Sequence, residues 1–384
     1  MKLTIARSDL HTALTQAGRV VGRRTKIPIL GTVRLQAFGS SLVVTATDQD
    51  IETRVTVAAT VEEEGVATAP ADLLAVLVAK AKDGPISIET VDDGTRLSVG
   101  AGRAKAKFAC LPADMFPDLV AFDDGTATTF SIGAATIADA LDATTSAIDA
   151  DEKRWMLNGT ALQRMRGDDG ADRLCVVASD THRLSRWRAD LPDGAGDMPA
   201  VILPRKITDE IRKITRESLK SGHAQVGVTV SETKIRFEIG RTILTSKLID
   251  AVFPDHEQFT PRSWASEAIV DRAEMTAAID RVACVLEEKS RGLAFGFEAG
   301  RLTIGGRHPD RGEIEEEIAF SDLGAPTDLR IGWNAKYIAE ALDALPSETV
   351  AFRLPDNPGG PTIIVPAVAD PTCDRLVILM PLQV

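Results

Sequence analysis

Ser179, Asp180 and His182 lie within four residues of one another and carry the side-chain types of a hydrolytic triad: a hydroxyl nucleophile, a carboxylate and an imidazole base. Their spacing argues against that chemistry. At the end of a strand, successive side chains point to opposite faces and cannot converge on one substrate atom. Asp48-Gln49-Asp50 offers two carboxylates of the kind that hold a divalent cation, but it occupies the position equivalent to Asp180 in an earlier copy of the same pattern, which reads as a structural turn. There is no GxxxxGK[ST] loop, no GxGxxG after a strand, no HExxH and no EF-hand pattern. The five histidines are scattered. The expectation is therefore no catalytic site, no metal and no cofactor. Cys110, Cys175, Cys284 and Cys373 are far apart, form no CxxC pair and sit in apolar or strand-like contexts. They read as reduced, mostly buried thiols of a cytoplasmic protein. The first residues are too polar for a signal peptide, and no apolar run reaches membrane-spanning length, so no membrane partner is expected.

The elements that must position these residues come in three copies. Leu3 and Ile5 alternate like a strand, and Leu10, Leu14, Ala17 and Val21 follow with the spacing of an amphipathic helix. The arrangement returns as Phe130 and Ile132 with Ile137, Leu141, Thr144 and Ile148, and again as Ala268 and Val270 with Met275, Ile279, Val282 and Leu286. A second strand and helix also recur, introduced by Pro70, Pro204 or Asn334. Their apolar faces are Leu73, Leu74, Leu77 and Val78; Ile207, Ile211 and Ile214; and Ile338, Leu342 and Leu345. Alternating strands come after each helix, and Phe116-Pro117-Asp118 and Phe253-Pro254-Asp255 close the first two copies. The fold class is α+β, in three units of about 125 to 130 residues, with boundaries at 1–123, 124–256 and 257–384. Three units in an arc leave two unlike ends, which a two-fold dimer can close; geometry alone does not force this, and a compact three-domain monomer is the alternative.

The net charge of −12 argues against nucleic-acid binding unless the cations are segregated. They are patterned that way. With Ile211 set at zero and 100° per residue, Lys213, Arg216 and Lys220 fall opposite the apolar face, and Arg205 and Lys206 extend the patch at the helix start. Glu62-Glu63-Glu64 and the run from Glu313 to Glu317 place acids in strand and loop segments. A basic helical surface would meet phosphates without reading bases.

Short motifs in a fixed order then carry a resemblance: Ile27-Pro28-Ile29-Leu30-Gly31, Ala46-Thr47-Asp48, Leu157-Asn158-Gly159, Ala178 through Leu184, Leu203-Pro204-Arg205-Lys206, Thr245-Ser246-Lys247-Leu248, the two Phe-Pro-Asp triplets and Met380-Pro381-Leu382. Over its whole length the chain resembles the bacterial DNA polymerase III beta subunit family, the sliding clamps. The resemblance implies a non-catalytic processivity factor: a homodimeric six-domain ring, helices lining the inner face and antiparallel sheets outside, with duplex DNA of any sequence through the hole. It implies DNA contacts at Arg24 and at the loop bearing Asp151, Trp155 and Met156. It implies a cleft for short peptide motifs of the polymerase III alpha subunit, the clamp loader, other polymerases and repair proteins. Matching positions are Leu157, Ser179, Thr181, His182, Arg183, Leu184, Pro254, Phe259, Pro361, Ile378, Met380, Pro381 and Leu382. Leu157, Leu184, Ile378 and Met380 are expected as the apolar floor, and His182 and Arg183 as the rim. Lys105, Ala106, Lys107, Phe108, Val285 and Leu286 match the dimer seam. The competing readings are a peptide-binding adaptor that never encircles DNA and a hydrolase using Asp180 and His182.

Overall fold

A computed structural model describes every residue except 22–24, 120–121, 123–126, 168, 288–290, 299, 324–327 and 384. Among the described residues, six α-helices form: α1 (Arg7–Val20), α2 (Ala71–Lys80), α3 (Ala134–Thr144), α4 (Arg205–Lys220), α5 (Arg272–Ala283) and α6 (Ala335–Asp343). The helix starts fall where the repeat analysis puts them. Strands Lys2–Ala6, Thr128–Gly133 and Ser266–Asp271 run directly into α1, α3 and α5. Pro70, Pro204 and Asn334 each immediately precede a helix. Local chemistry explains two of these starts. Asp271 accepts the Glu274 N–H at the head of α5, and Asn334 accepts the N–H groups of Lys336 and Tyr337 at the head of α6.

The apolar stripes bury as the period demands, with two departures. In all three copies the last member of the first stripe (Val21, Ile148 or Leu286) lies beyond the helix end. After α1, Val21 turns extended at φ −60°, ψ 121°, and after α3 the chain tightens into a 3₁₀ turn at Thr145–Ala147. On α2, Leu74 and Val78 are buried, whereas Leu73 stands 53% exposed beside Val76. An i, i+4 pair is enough to face the core on a ten-residue helix, and Leu73 falls 100° to its side. Cys284 also departs from expectation: it is exposed at the end of α5, Cys110 and Cys373 are half-buried, and only Cys175 is fully buried.

The chain packs as two compact units. One comprises Met1–Ile137, Asp193–Met198 and Asp209–Leu248. It holds a five-stranded sheet ending in the edge strand Ala104–Ala109, and an eight-stranded sheet. Leu3, Leu10, Leu14, Leu35, Leu74 and Ile88 belong to its core. In the larger sheet Thr242–Lys247 pairs antiparallel with Ile51–Ala58, joining the second repeat to the first. The other unit comprises Ala138–Pro192, Pro199–Thr208 and Ile249–Val384. It holds a nine-stranded sheet and a four-stranded sheet ending in the edge strand Gly312–Ala319. Its aromatic core is built on Phe295, Phe297, Trp333 and Phe352. In its larger sheet Arg183–Asp190 pairs antiparallel with Cys373–Leu379, joining the third repeat to the second.

Candidate functional site

The segment from Ser179 to Arg183 is a tight turn between two strands of the nine-stranded sheet. The Asp180 carboxylate accepts the backbone N–H of His182 at 3.0 Å and of Arg183 at 3.1 Å. Ser179 Oγ donates to the Arg183 carbonyl at 2.9 Å. These bonds spend the Ser179 and Asp180 side chains on the turn itself, and short side-chain-to-backbone bonds of this kind are what Ser and Asp supply at turns. The strand leaving the turn sets Leu184 opposite Ile378, and Thr362 pairs with Leu379 on the far side, which brings Pro361 to the same end. Met380 N donates to the His182 carbonyl at 2.9 Å, and Leu382 N to that of Gly332 at 2.8 Å, fixing the last residues alongside the turn.

Of the four residues expected as the floor, Leu157, Leu184 and Ile378 are buried, whereas Met380, like its neighbour Leu382, is 45% exposed. Leu184 and Ile378 share an apolar cluster with Ile363, and Phe253, next to Pro254, packs against it. Phe259 stands exposed on the adjoining 3₁₀ turn, which Glu257 ties to the sheet through Arg186.

Arg183 departs from its expected place on the rim. It is 6% exposed, and its guanidinium pairs with Asp180 at 3.0 Å, with Glu340 and with the Ser146 carbonyl. It also lies 4.3 Å from the ring of Tyr337, on α6, against which the His182 ring stacks. Burial, and then the charge of Asp180, push the Tyr337 hydroxyl up from its ordinary pKa. Sequence reasoning missed Tyr337 and Glu340. The signal was present: Tyr337 is the one tyrosine in the chain, and it sits one turn into a helix that the repeat pattern locates.

The loop before the strand Gly159–Arg166 carries the other candidates. Asp151 caps the 3₁₀ segment Glu152–Leu157 by accepting the Lys153 N–H. Trp155 is 50% exposed, and Met156 also reaches solvent. Arg24 lies outside the described residues. On α4, Lys206, Lys213, Arg216 and Lys220 are exposed and Arg205 is half-buried, donating to the Ile148 carbonyl at 3.2 Å. Lys213 is paired with the buried Glu210 at 2.9 Å, so part of that positive face is internally balanced. Lys105 and Lys107 are exposed on their edge strand, alternating with half-buried Ala106 and Phe108. Val285 is buried in its own unit, and Leu286 packs against the core there. No group of three or more His, Cys, Asp or Glu among the described residues could hold a metal ion, and no described helix is long and apolar enough to cross a membrane.

Three family models match end to end: the N-terminal domain of the DNA polymerase III beta subunit over residues 1–120, the central domain over 131–255 and the C-terminal domain over 257–381. The beta sliding clamp of Caulobacter vibrioides is 37% identical over 385 residues, covering all of both chains. The chain belongs to the DNA polymerase III beta subunit family, the sliding clamps. The sliding clamp of Pseudomonas aeruginosa is 32% identical over 93% of this chain and 94% of its own. Among solved sliding clamps, one from Bartonella birtlesii bound to griselimycin superposes with a TM-score of 0.93 at 32% identity, and one from Caulobacter crescentus with 0.90 at 36%, each covering both chains fully. As a sliding clamp the chain is a non-catalytic processivity subunit of DNA polymerase III, which disposes of the hydrolase reading of Asp180 and His182. It has the α+β architecture of three clamp domains.

Proposed function

We propose that two copies of this chain close head to tail into a cytoplasmic six-domain ring, with domains at 1–123, 124–256 and 257–384, and that duplex DNA passes through it. The family match along the whole chain carries this reading. The edge strand Ala104–Ala109, with Lys105 and Lys107, and the region of Val285 and Leu286 form the seam. An edge strand offers unpaired backbone groups to a partner. Arg24, Asp151, Trp155, Met156 and the α4 cations Arg205, Lys206, Lys213, Arg216 and Lys220 face the DNA, where contacts to phosphate are weak, salt-sensitive and indifferent to sequence. The cleft bounded by Leu157, the 179–184 turn, Pro254, Phe259, Pro361 and residues 378–382 takes short linear motifs from the polymerase III alpha subunit, the clamp loader, other polymerases and repair proteins; the Bartonella relative is bound to griselimycin, and in this chain the cleft is the place for it. Apolar walls with a few oriented polar groups suit an extended peptide.

Negative-stain microscopy with a solution mass on the same sample tests the ring. A six-lobed ring at twice the chain mass is expected. A three-lobed monomer at micromolar concentration would contradict it and favour an adaptor that does not encircle DNA.

A further inference from the structure

Thr181 holds φ +74°, a left-handed conformation that a β-branched residue rarely adopts. Such outliers persist where the surroundings over-determine them. Two bonds do so here: the Thr181 N–H donates to Ser179 Oγ at 3.2 Å, and Thr181 Oγ1 accepts from Arg154 Nη1 at 3.0 Å. Arg154 is itself out of register with its segment, at φ −93°, ψ 53° inside an otherwise 3₁₀ stretch. That kink places its guanidinium against the buried Asp149, with Nε 2.7 Å from Oδ2 and Nη2 3.3 Å from Oδ1. Asp149 closes the loop, since its N–H donates to the Leu157 carbonyl at 3.0 Å and its Oδ1 accepts the Asp151 N–H at 2.9 Å. One guanidinium thus ties the loop bearing Trp155 and Leu157 to the turn bearing His182 and Arg183.

We infer that Arg154 is a positioning residue for the peptide cleft, acting through the Thr181 hydroxyl, and that it links the cleft to the exposed loop. This rests on the cleft reading above. The turn's own bonds already carry a left-handed residue, as at Gln49 with φ +78°, and Arg154 adds a fixed donor to the β-branched Thr181 through its hydroxyl.

The test measures labelled griselimycin binding to the full-length protein by fluorescence anisotropy, and amide exchange at His182 and Arg183 without ligand. Thr181→Val keeps the β-branch and removes the hydroxyl; it should weaken binding about fivefold and speed exchange. Thr181→Gly removes both bond and strain; amide exchange at His182 and Arg183 should stay within about twofold of wild type, and its own griselimycin affinity is the reference for the next variant. Arg154→Lys keeps the charge beside Asp149 but loses the planar fork that reaches two partners. It should weaken binding about fivefold in the wild-type background and leave the Thr181→Gly protein unchanged. Equal losses in both backgrounds, or Thr181→Val behaving like Thr181→Gly, would overturn the inference. Wild-type protein that binds no griselimycin would overturn the cleft reading, while the exchange rates would still report on the tether.

Discussion

The turn at Thr47–Ile51 and the turn at Ser179–Arg183 share the same side-chain-to-backbone bonds. In the first, Thr47 Oγ1 donates to the Ile51 carbonyl at 2.8 Å, Gln49 N to Thr47 Oγ1 at 3.0 Å, and Asp48 Oδ1 accepts from Asp50 N and Ile51 N. Gln49 has φ +78°, against +74° at Thr181. Lys247 N donates to the Asp50 carbonyl at 2.8 Å, as Met380 N does to that of His182. The two turns differ in the strands that leave them. The strand leaving the first turn begins with buried Ile51, and four residues on carries Val55 opposite Thr242. The strand leaving the second begins with buried Arg183 and carries Trp187 opposite Arg375. Trp187 Nε1 donates to Asp139 at 2.9 Å, and Arg375 pairs with the same carboxylate. Where the second seam is filled by this indole, the first has an open cleft of ≈ 630 Å³ lined in part by Thr12, Val55 and Thr242. A duplicated turn is scaffold. The site arises where one copy buries an arginine and must bring Asp180, Glu340 and Tyr337 to meet it.

Converting the second copy toward the first should have the largest effect. Arg183→Ile strips the buried Asp180 of its counter-charge and leaves Glu340 with only the exposed Lys336 at 3.8 Å, and should destabilise this unit by about 4 kcal/mol. All four tryptophans lie in this unit, so urea unfolding followed by tryptophan fluorescence reads the change directly. Trp187→Val, the residue of the first seam, should cost about 3 kcal/mol by the same measurement, since it empties a buried site and strips Asp139 of a donor.

A smaller effect should come from pH. His256 is buried beside Arg186, Glu257, Asp255 and Arg188. Burial, and then the Arg186 charge, hold its pKa below the ordinary 6.5. The unfolded chain therefore takes up the proton first. Stability is complete above 6.5 and falls as pH drops from there toward the folded-state pKa, by at most about 1.4 kcal/mol per pH unit. His256→Gln should flatten that limb of a stability-against-pH curve. Gln49→Gly should change the unfolding free energy read from a urea titration least, by under about 1 kcal/mol, because relief of the left-handed strain is offset by the greater freedom of glycine when unfolded.

Much of this was legible in the sequence. The triplication, the helix starts at Pro70, Pro204 and Asn334 and the structural character of Asp48-Gln49-Asp50 come from periodicity and from turn chemistry, which are local. The helix ends were not, because an apolar stripe continues past the point where the chain leaves the helix, as at Val21 and Ile148. Arg183 was misplaced on the rim because a charged residue type suggests exposure, and its three polar partners, at positions 146, 180 and 340, converge only in the fold. Arg154 was hidden for the same reason, since its partner Thr181 lies 27 residues away.

The central claim is that the 179–184 turn is a docking site while its twin at 47–51 is not. Amide hydrogen exchange of the full-length protein, with and without griselimycin, tests it most directly. Protection confined to residues 181–184 and 379–383, with residues 49–52 and 247–249 unchanged, is the expected result. Protection at the first turn, or at both turns equally, would contradict the account.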